Sequence, residues 1–437
     1  MDLLIYVDEV TPRISYTFNH VFLNQLGLSY RLITSLTDYK KAKTHKFSYS
    51  KKKIGSSLFF RSYGLLFDSD IKKLIINPKE FKNTKVFFDI DDNASALPFD
   101  PFSCIFYMLS RYEEYISSDK DNHERYNYKN SISYKYNFLT EPIVEYWIIF
   151  IKDILLSKFP DISFSKKKFR FINSIDIDNG FAYLGKGFTR TIGGYLKSLL
   201  KFKFNEILQR TNVLLGLKSD PYDNFDYILD LSKKNNLETI FFILIGNYST
   251  FDRNIYYQNT RFRKLIKKIS RHSEVGLHSS YSSNFKYQNV DIEKFRLENI
   301  IGHRVTKNRQ HYIKINIPLT YQNLINSKIE EDFSMGYPDH YGFRAGTANS
   351  FYFFDLNKNI QTSLLIRPFV MMDVTFKYYL KLKTDEMKII MEELINKVKQ
   401  VDGCFVSIWH NETFNSSKYD TNWVQLYEKM ISILKNE

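Results

Sequence analysis

The sequence predicts an α/β protein built on a mainly parallel sheet, and three observations carry that expectation. From residue 168 onward, short apolar runs alternate with amphipathic helical segments, the pattern of strand–helix–strand units. Polar residues able to do chemistry stand directly after several of those runs, where such folds gather their ligands. Of the 437 residues, 43% are hydrophobic and 17% aromatic, with only 16 glycines and 10 prolines, which excludes a disordered chain.

The elements read in order as follows. A strand is expected over 3–7, then a helix over 16–26 that stops at Gly27. A strand over 85–90 leads into Asp91-Asp92-Asn93, and a helix over 101–115 starts on Pro101. The polar stretch 117–129 reads as an exposed loop, and a helix follows over about 142–158. This divides the chain into an N-terminal α/β unit (1–130), a helical connection (131–167) and a main unit (168–437). In the main unit, strands are expected over 169–177, 238–245, 274–277, 364–371 and 403–409. Helices are expected over 224–235, 262–270, 292–305, 321–328, 385–400 and 423–435. Residues 194–217 are helical in period, with lysines among leucines and phenylalanines. They read as an ordinary surface helix in preference to a membrane-interface helix.

Two cysteines, Cys104 and Cys404, cannot make a disulfide framework or a thiolate zinc site and fit a reducing compartment. Acids within the first ten residues argue against a signal peptide, and no run reaches about 18 apolar residues. The expected location is cytoplasmic, with the inner membrane surface as an option. The net charge of +14 is read either as a lysine-rich solvated surface or as a face for an anionic glycan or a membrane. Nucleic acid is the weakest partner, because no helix-turn-helix, zinc-finger or ribonucleoprotein signature is present.

The chemistry-bearing residues cluster at strand ends. Asp176 and Asp178 close the 169–177 strand and, being two apart, face one side. A metal ligand beside a general base is one arrangement that relieves their repulsion; a helix cap beside a solvated neighbour is the other. His278 and His410 each follow an apolar strand, Asp373 follows Pro368–Met372, and Arg344 lies in a loop between glycines. Asp89–Asp92 imitates the Asp176 motif, but no strand-end histidine follows it in the N-terminal part, so it reads as a turn cap.

This ordered series resembles the polysaccharide deacetylases, the NodB-homology domains of carbohydrate esterase family 4. The matching motifs are Asp176/Asp178, His278-Ser279-Ser280-Tyr281-Ser282, Arg344, Asp373 and His410, across 168 to the C-terminus. The strings FDPFSCIFYMLSRYEEY, RQHYIK, GFRAGT and WHNET are similar to a subgroup from Bacteroidetes-type surface-polysaccharide loci with an uncharacterised N-terminal domain. The resemblance implies a distorted, incomplete β/α barrel and a metal-dependent hydrolase, most simply a zinc enzyme, removing N-acetyl or O-acetyl groups from a carbohydrate. Asp176 is then the base, oriented by Arg344, and His410 the acid, supported by Asp373. Asp178 and His278 are metal ligands. Ser282 stands where the family has its second histidine, so His311 is the candidate third ligand, with Ser282 or water as the alternative. Ser280, Tyr281, Arg309, Trp409 and Asn411 are the expected sugar contacts. Two other readings stay open: a barrel that binds carbohydrate without chemistry, and a two-carboxylate glycosidase.

Overall fold

The computed structural model describes residues 3–415 and 423–435. The first strand, β1 (Leu3–Val7), is apolar and almost wholly buried. It lies between β2 (Tyr30–Ile33) and β3 (Lys46–Ser50), and β4 (Leu58–Arg61) completes a parallel sheet of order β2-β1-β3-β4. The expected helix over 16–26 is a short α-helix, Pro12–Phe18, running into a wider π-helical turn, Asn19–Gln25. A hairpin of β5 (Lys79–Phe81) and β6 (Thr84–Val86) follows. The expected strand over 85–90 stops at Val86, because Phe88 takes a positive φ of 61° that no strand tolerates. The Asp89–Asp92 segment leads into a turn at Asn93–Ala94: Asp89 bridges Phe99 and pairs with Lys79, and Asp92 Oδ1 accepts from the Ala94 N–H at 2.9 Å.

The remaining strands are β7 (Arg170–Ile177), β8 (Glu238–Leu244), β9 (Glu274–Ser279), β10 (Lys307–Gln310), β11 (Glu331–Asp332), β12 (Phe351–Asp355), β13 (Ile360–Ile366), β14 (Met371–Met372) and β15 (Cys404–His410). They form one sheet of order β12-β13-β11-β10-β9-β8-β7-β15-β14, parallel except for the β12–β13 hairpin. Unbroken apolar runs such as IFFIL in β8, buried on both faces, suit a parallel sheet covered by helices. The expected strand over 364–371 is interrupted by the Arg367-Pro368 bend and becomes β13 and β14, at different places in the sheet.

The sheet curls. Ile172, Ile240, Phe242, Phe333, Met372 and Ile408 come from or beside five different strands, yet pack in one inner cluster. Arg309 on β10 reaches Asp176 on β7, three strands away, with a 2.6 Å bond. On a flat sheet those strands would lie roughly 14 Å apart. Curling turns the strand ends into a ring around one cleft.

The N-terminal part packs on this sheet. One hydrophobic cluster contains Leu3, Phe106, Trp147, Phe354 and Leu434 alike. Glu114, at the end of the FDPFSCIFYMLSRYEEY segment, is bridged by the buried Arg344. The expected single helix over 194–217 is two helices, Phe188–Leu200 and Phe204–Leu214, broken at Phe202, where φ is 54°.

Candidate active site

Strand β7 supplies the first two groups. Asp176 and Asp178 face the cleft while Ile177, between them, is buried on the opposite face. Arg309 Nη1 donates to Asp176 Oδ1 at 2.6 Å and to Ser174 Oγ at 2.9 Å. Those bonds fix one carboxylate oxygen and leave Oδ2 towards the cleft. The parallel register sets His410 of β15 beside Asp176.

His278 ends β9. Its Nδ1 lies 2.9 Å from the Arg309 carbonyl, which can only accept, so Nδ1 carries the proton and Nε2 presents a lone pair. His311 follows β10 directly, and its Nδ1 lies 2.9 Å from Asp252 Oδ1, which fixes the same tautomer. The two Nε2 atoms converge on one carboxylate: His278 is 3.2 Å from Asp178 Oδ1 and His311 is 3.4 Å from Asp178 Oδ2. The ligand atoms of Asp178, His278 and His311 all lie within 4.8 Å of one another. Asp178 Oδ1 is a buried oxygen with no hydrogen-bond partner. Lone pairs facing a carboxylate repel unless a cation lies between them, so two nitrogens and a carboxylate fit a divalent ion such as zinc. Without an ion, protons take that place. Burial opposes charge on His311, but Asp178 and Asp252 push it up to about 9. Burial likewise opposes charge on Asp178, but His311 and the neighbouring histidines hold it well below the usual carboxylate range.

The His410 ring faces the cleft from the other side. Its Nδ1 lies 2.7 Å from Asp373 Oδ1, while Asp373 Oδ2 accepts from the His410 backbone N–H at 2.9 Å and from the Thr413 hydroxyl. Burial opposes its charge, but the adjacent Asp373 carboxylate, with Asp178 and Asp176 beyond, pushes it up to about 10. Asp373 therefore favours the protonated ring, and Nε2 is left free of Asp373.

The cleft over these groups has a volume of about 340 Å³, within the range of small-ligand sites. Tyr312, Phe251, Tyr378 and Tyr379 give it aromatic walls. Tyr312 and Ile313 hold positive φ angles of 62° and 52°, uncommon for such side chains and typical of functional turns. The turn lets Tyr312 O accept from Arg125 Nη1 at 2.8 Å. Arg125 lies in the stretch expected to be an exposed loop, and here the structure corrects the sequence reading. Ser118–Lys120 is exposed, but Arg125 and Tyr126 are buried, and Arg125 lines the cleft. Lys314 locks the same stretch by donating to His123 O and Glu124.

The structure brings together Asp176, Asp178, His278, His311 and His410, with Asp373 behind the last. It does not bring Arg344 there. Arg344 makes two bonds to Glu114 and one to Gly336 O, and its expected partner Asp176 is held by Arg309 instead. The five expected sugar contacts also lie elsewhere. Arg309 is buried behind Asp176. Ser280 donates both its N–H and its hydroxyl to buried Glu293. Tyr281 forms a second layer under Phe251, with ring centres 4.3 Å apart. Trp409 alternates with His410 along β15, so it points into the core against Tyr427. Asn411 ties the chain to Asn179 O and Tyr222 O. Ser282 bonds Ser280 and Asn289, away from the three convergent ligands. Two contributors have no sequence signal of their own: Asp252, in a polar loop after β8, and Arg125.

Residues 3–160 match a family model described as a family of unknown function, DUF7033, and that match includes Arg125. No curated protein matches the chain. Among solved structures, a polysaccharide deacetylase from Bacillus cereus is 14% identical, with 62% of this chain and 88% of that one covered and a TM-score of 0.31. The allantoinase PuuE is 11% identical, with 62% and 84% covered and a TM-score of 0.39. The peptidoglycan deacetylase PdaC from Bacillus subtilis is 14% identical, with 61% and 85% covered and a TM-score of 0.27.

Proposed function

We propose that the chain is a metal-dependent hydrolase that removes N-acetyl or O-acetyl groups from a carbohydrate. The observation that carries the reading is the convergence of Asp178, His278 and His311 on one point, flanked by an anchored carboxylate and an imidazole held by Asp373. The strand-end motifs resembling carbohydrate esterase family 4 supply the reaction class, and on this reading the curled sheet is that family's incomplete β/α barrel. Asp178, His278 and His311 would hold the ion, zinc by donor type. Once bound, it would polarise the acetyl carbonyl and acidify water.

The chain's own residues supply the rest. Asp176 Oδ2 takes the proton from the attacking water, while Arg309 holds the carboxylate in place through Oδ1. His410 gives its Nε2 proton to the departing nitrogen or oxygen, and Asp373 fixes its ring. The aromatic walls stack on sugar faces, and Arg125 closes one side. A serine at position 282 in place of the family's second histidine would favour a binding module without metal, but His311 beside Asp178 offers a third donor. The test is metal analysis of the purified protein together with acetate release from a panel of acetylated glycans. About one divalent ion per chain and released acetate support the reading. Reducing ends released without acetate favour the glycosidase, and glycan binding with neither ion nor acetate favours the binding module.

A further inference from the structure

Residues 188–217 form a helical hairpin with its polarity reversed. Eleven of the 32 exposed large hydrophobic side chains among the described residues fall in this stretch. On the first helix they recur as Phe188, Ile192, Leu196 and Leu199–Leu200, one apolar face turned to solvent. At the tip, Leu200 is 79% and Phe202 80% exposed. Polar groups, meanwhile, are turned inward between the two helices. Tyr195 Oη meets Thr211 Oγ1 at 2.9 Å, Ser198 bonds Glu206 at 3.2 Å, and Arg210 lies over Tyr183 and Tyr195. A hairpin folding for water alone would bury its leucines and expose its serine and tyrosine hydroxyls.

The charge around this apolar face identifies its occupant. Residues 186–218 carry seven Lys or Arg and one acid, Glu206. Lys197, Lys201, Lys203 and Lys218 are exposed beside the apolar tip. Long lysine side chains at the rim of an apolar face can lie along it and hold their ammonium groups among headgroup phosphates. A second copy of the same hairpin would bring like charges together. No helix among the described residues is long and apolar enough to cross a membrane, so the element suits lying in the interface rather than spanning it.

We infer that the hairpin docks the protein on a lipid bilayer bearing anionic headgroups. The docked cleft would sit close to that surface. Arg190 on the first helix donates to the carbonyls of Arg253 and Asn254, and Lys186 at its root donates to Asn179; Arg253 and Asn179 line the cleft. The inference is independent of the reaction the cleft performs.

Vesicle flotation with the full chain tests it, using phosphatidylglycerol mixed with phosphatidylcholine against phosphatidylcholine alone. The unaltered protein should float with the anionic vesicles and be released by high salt. Leu200→Ser with Phe202→Ser should weaken binding by about tenfold or more, since both side chains leave hydrocarbon. Lys201→Glu with Lys203→Glu should weaken it by about fivefold per residue, on the anionic vesicles only. These positions are exposed, and an unchanged circular dichroism spectrum checks the fold. Amide exchange on the unaltered protein should show residues 188–217 protected by the vesicles, a readout that needs no variant. Absence of flotation at low salt overturns the inference. So does lipid-free self-association that the Leu200/Phe202 variant abolishes, which would make a second copy the occupant.

Discussion

Arg309 and Asp176 form a fully buried pair across the curled sheet, with Nη1 2.6 Å from Oδ1. Burial lowers the affinity of Arg309 for its proton, and Asp176 restores part of it. Arg309→Ala should lower stability by about 3–5 kcal/mol, because it leaves a buried carboxylate unpaired. Asp176→Asn keeps an oxygen for Arg309 to donate to, so the fold should survive while acetate release is lost. Denaturant midpoints for the two variants, read with activity, check this. Equal stability for Arg309→Ala and the unaltered protein would contradict the pairing.

Arg344 makes the contrasting case. Its pair with Glu114 is also buried but joins the N-terminal part to the sheet. Arg344→Ala should cost stability on a similar scale, about 3–5 kcal/mol, with metal content per folded chain unchanged. Loss of the metal without loss of stability would return Arg344 to the reaction centre.

Which arginine serves Asp176 was not legible in the sequence, and the reason is geometric. A strand-end Asp or His announces itself because an apolar run and its polar terminus are neighbours in the chain, as with Asp176, His278 and His410. The partner of Asp176 depends on how far the sheet curls, and no local pattern encodes that. Asp252 was hidden for the same reason: it lies eight residues beyond β8 and meets His311 only through the fold. The stretch 117–129 was misread because its composition is that of a loop; Tyr312 O and Lys314 bury part of it. The N-terminal sheet was legible only at β1, since β2 to β4 are too short for period alone to reveal.

Limited proteolysis reads the 117–129 stretch against the 188–217 hairpin. Arg125 is 3% exposed and bonded to Tyr312 O, whereas Lys197, Lys201 and Lys203 are exposed around the hairpin break. Trypsin should cut first after those lysines and spare Arg125. Early cleavage at Arg125, with the hairpin intact, would show that the cleft wall is open in solution.

Glu293 gives a pH signature. Burial, with the charge of Asp252 adding to it, pushes its carboxyl up to about 7 against an ordinary 4.5. A carboxyl with a raised pKa in the folded state favours folding when protonated. Its contribution is therefore fully present below pH 4.5 and lost as the pH rises through about 7. Glu293→Gln, which keeps an acceptor for the Ser280 N–H, should flatten the fall in stability across that window. Urea midpoints measured at several pH values with a chelator present check it. An unchanged slope would mean that Glu293 titrates alike folded and unfolded.

The last prediction concerns how the third ligand is held. With neutral rings, His278 and His311 both present Nε2 lone pairs to Asp178, and what fixes each tautomer differs. His278 is fixed by a backbone carbonyl that no substitution removes, but His311 depends on the Asp252 side chain. Asp252→Asn should therefore act on the metal through His311 alone. An amide at that position accepts more weakly and can turn its nitrogen to the ring, which loosens the tautomer and makes His311 a poorer donor. The expected loss in zinc affinity is about 10–100-fold, the usual scale for a residue supporting a ligand. His311→Ala and His278→Ala should each reduce affinity further, because two protein ligands rarely hold a catalytic zinc. Ser282→Ala should be mild, since Ser282 bonds Ser280 and Asn289 and the metal ligands do without it. Competition of each variant with a chromophoric zinc chelator measures the series. Asp252 also accepts the Tyr281 and Ser282 backbone N–H groups, so Asp252→Asn could loosen that turn instead. The double variant Asp252→Asn/His311→Ala separates the two. If Asp252 acts through His311, the double variant binds zinc as weakly as His311→Ala alone; if it acts through the turn, the losses add. Full affinity in Asp252→Asn would show that His311 needs no support, and full affinity in His311→Ala would remove it from the site.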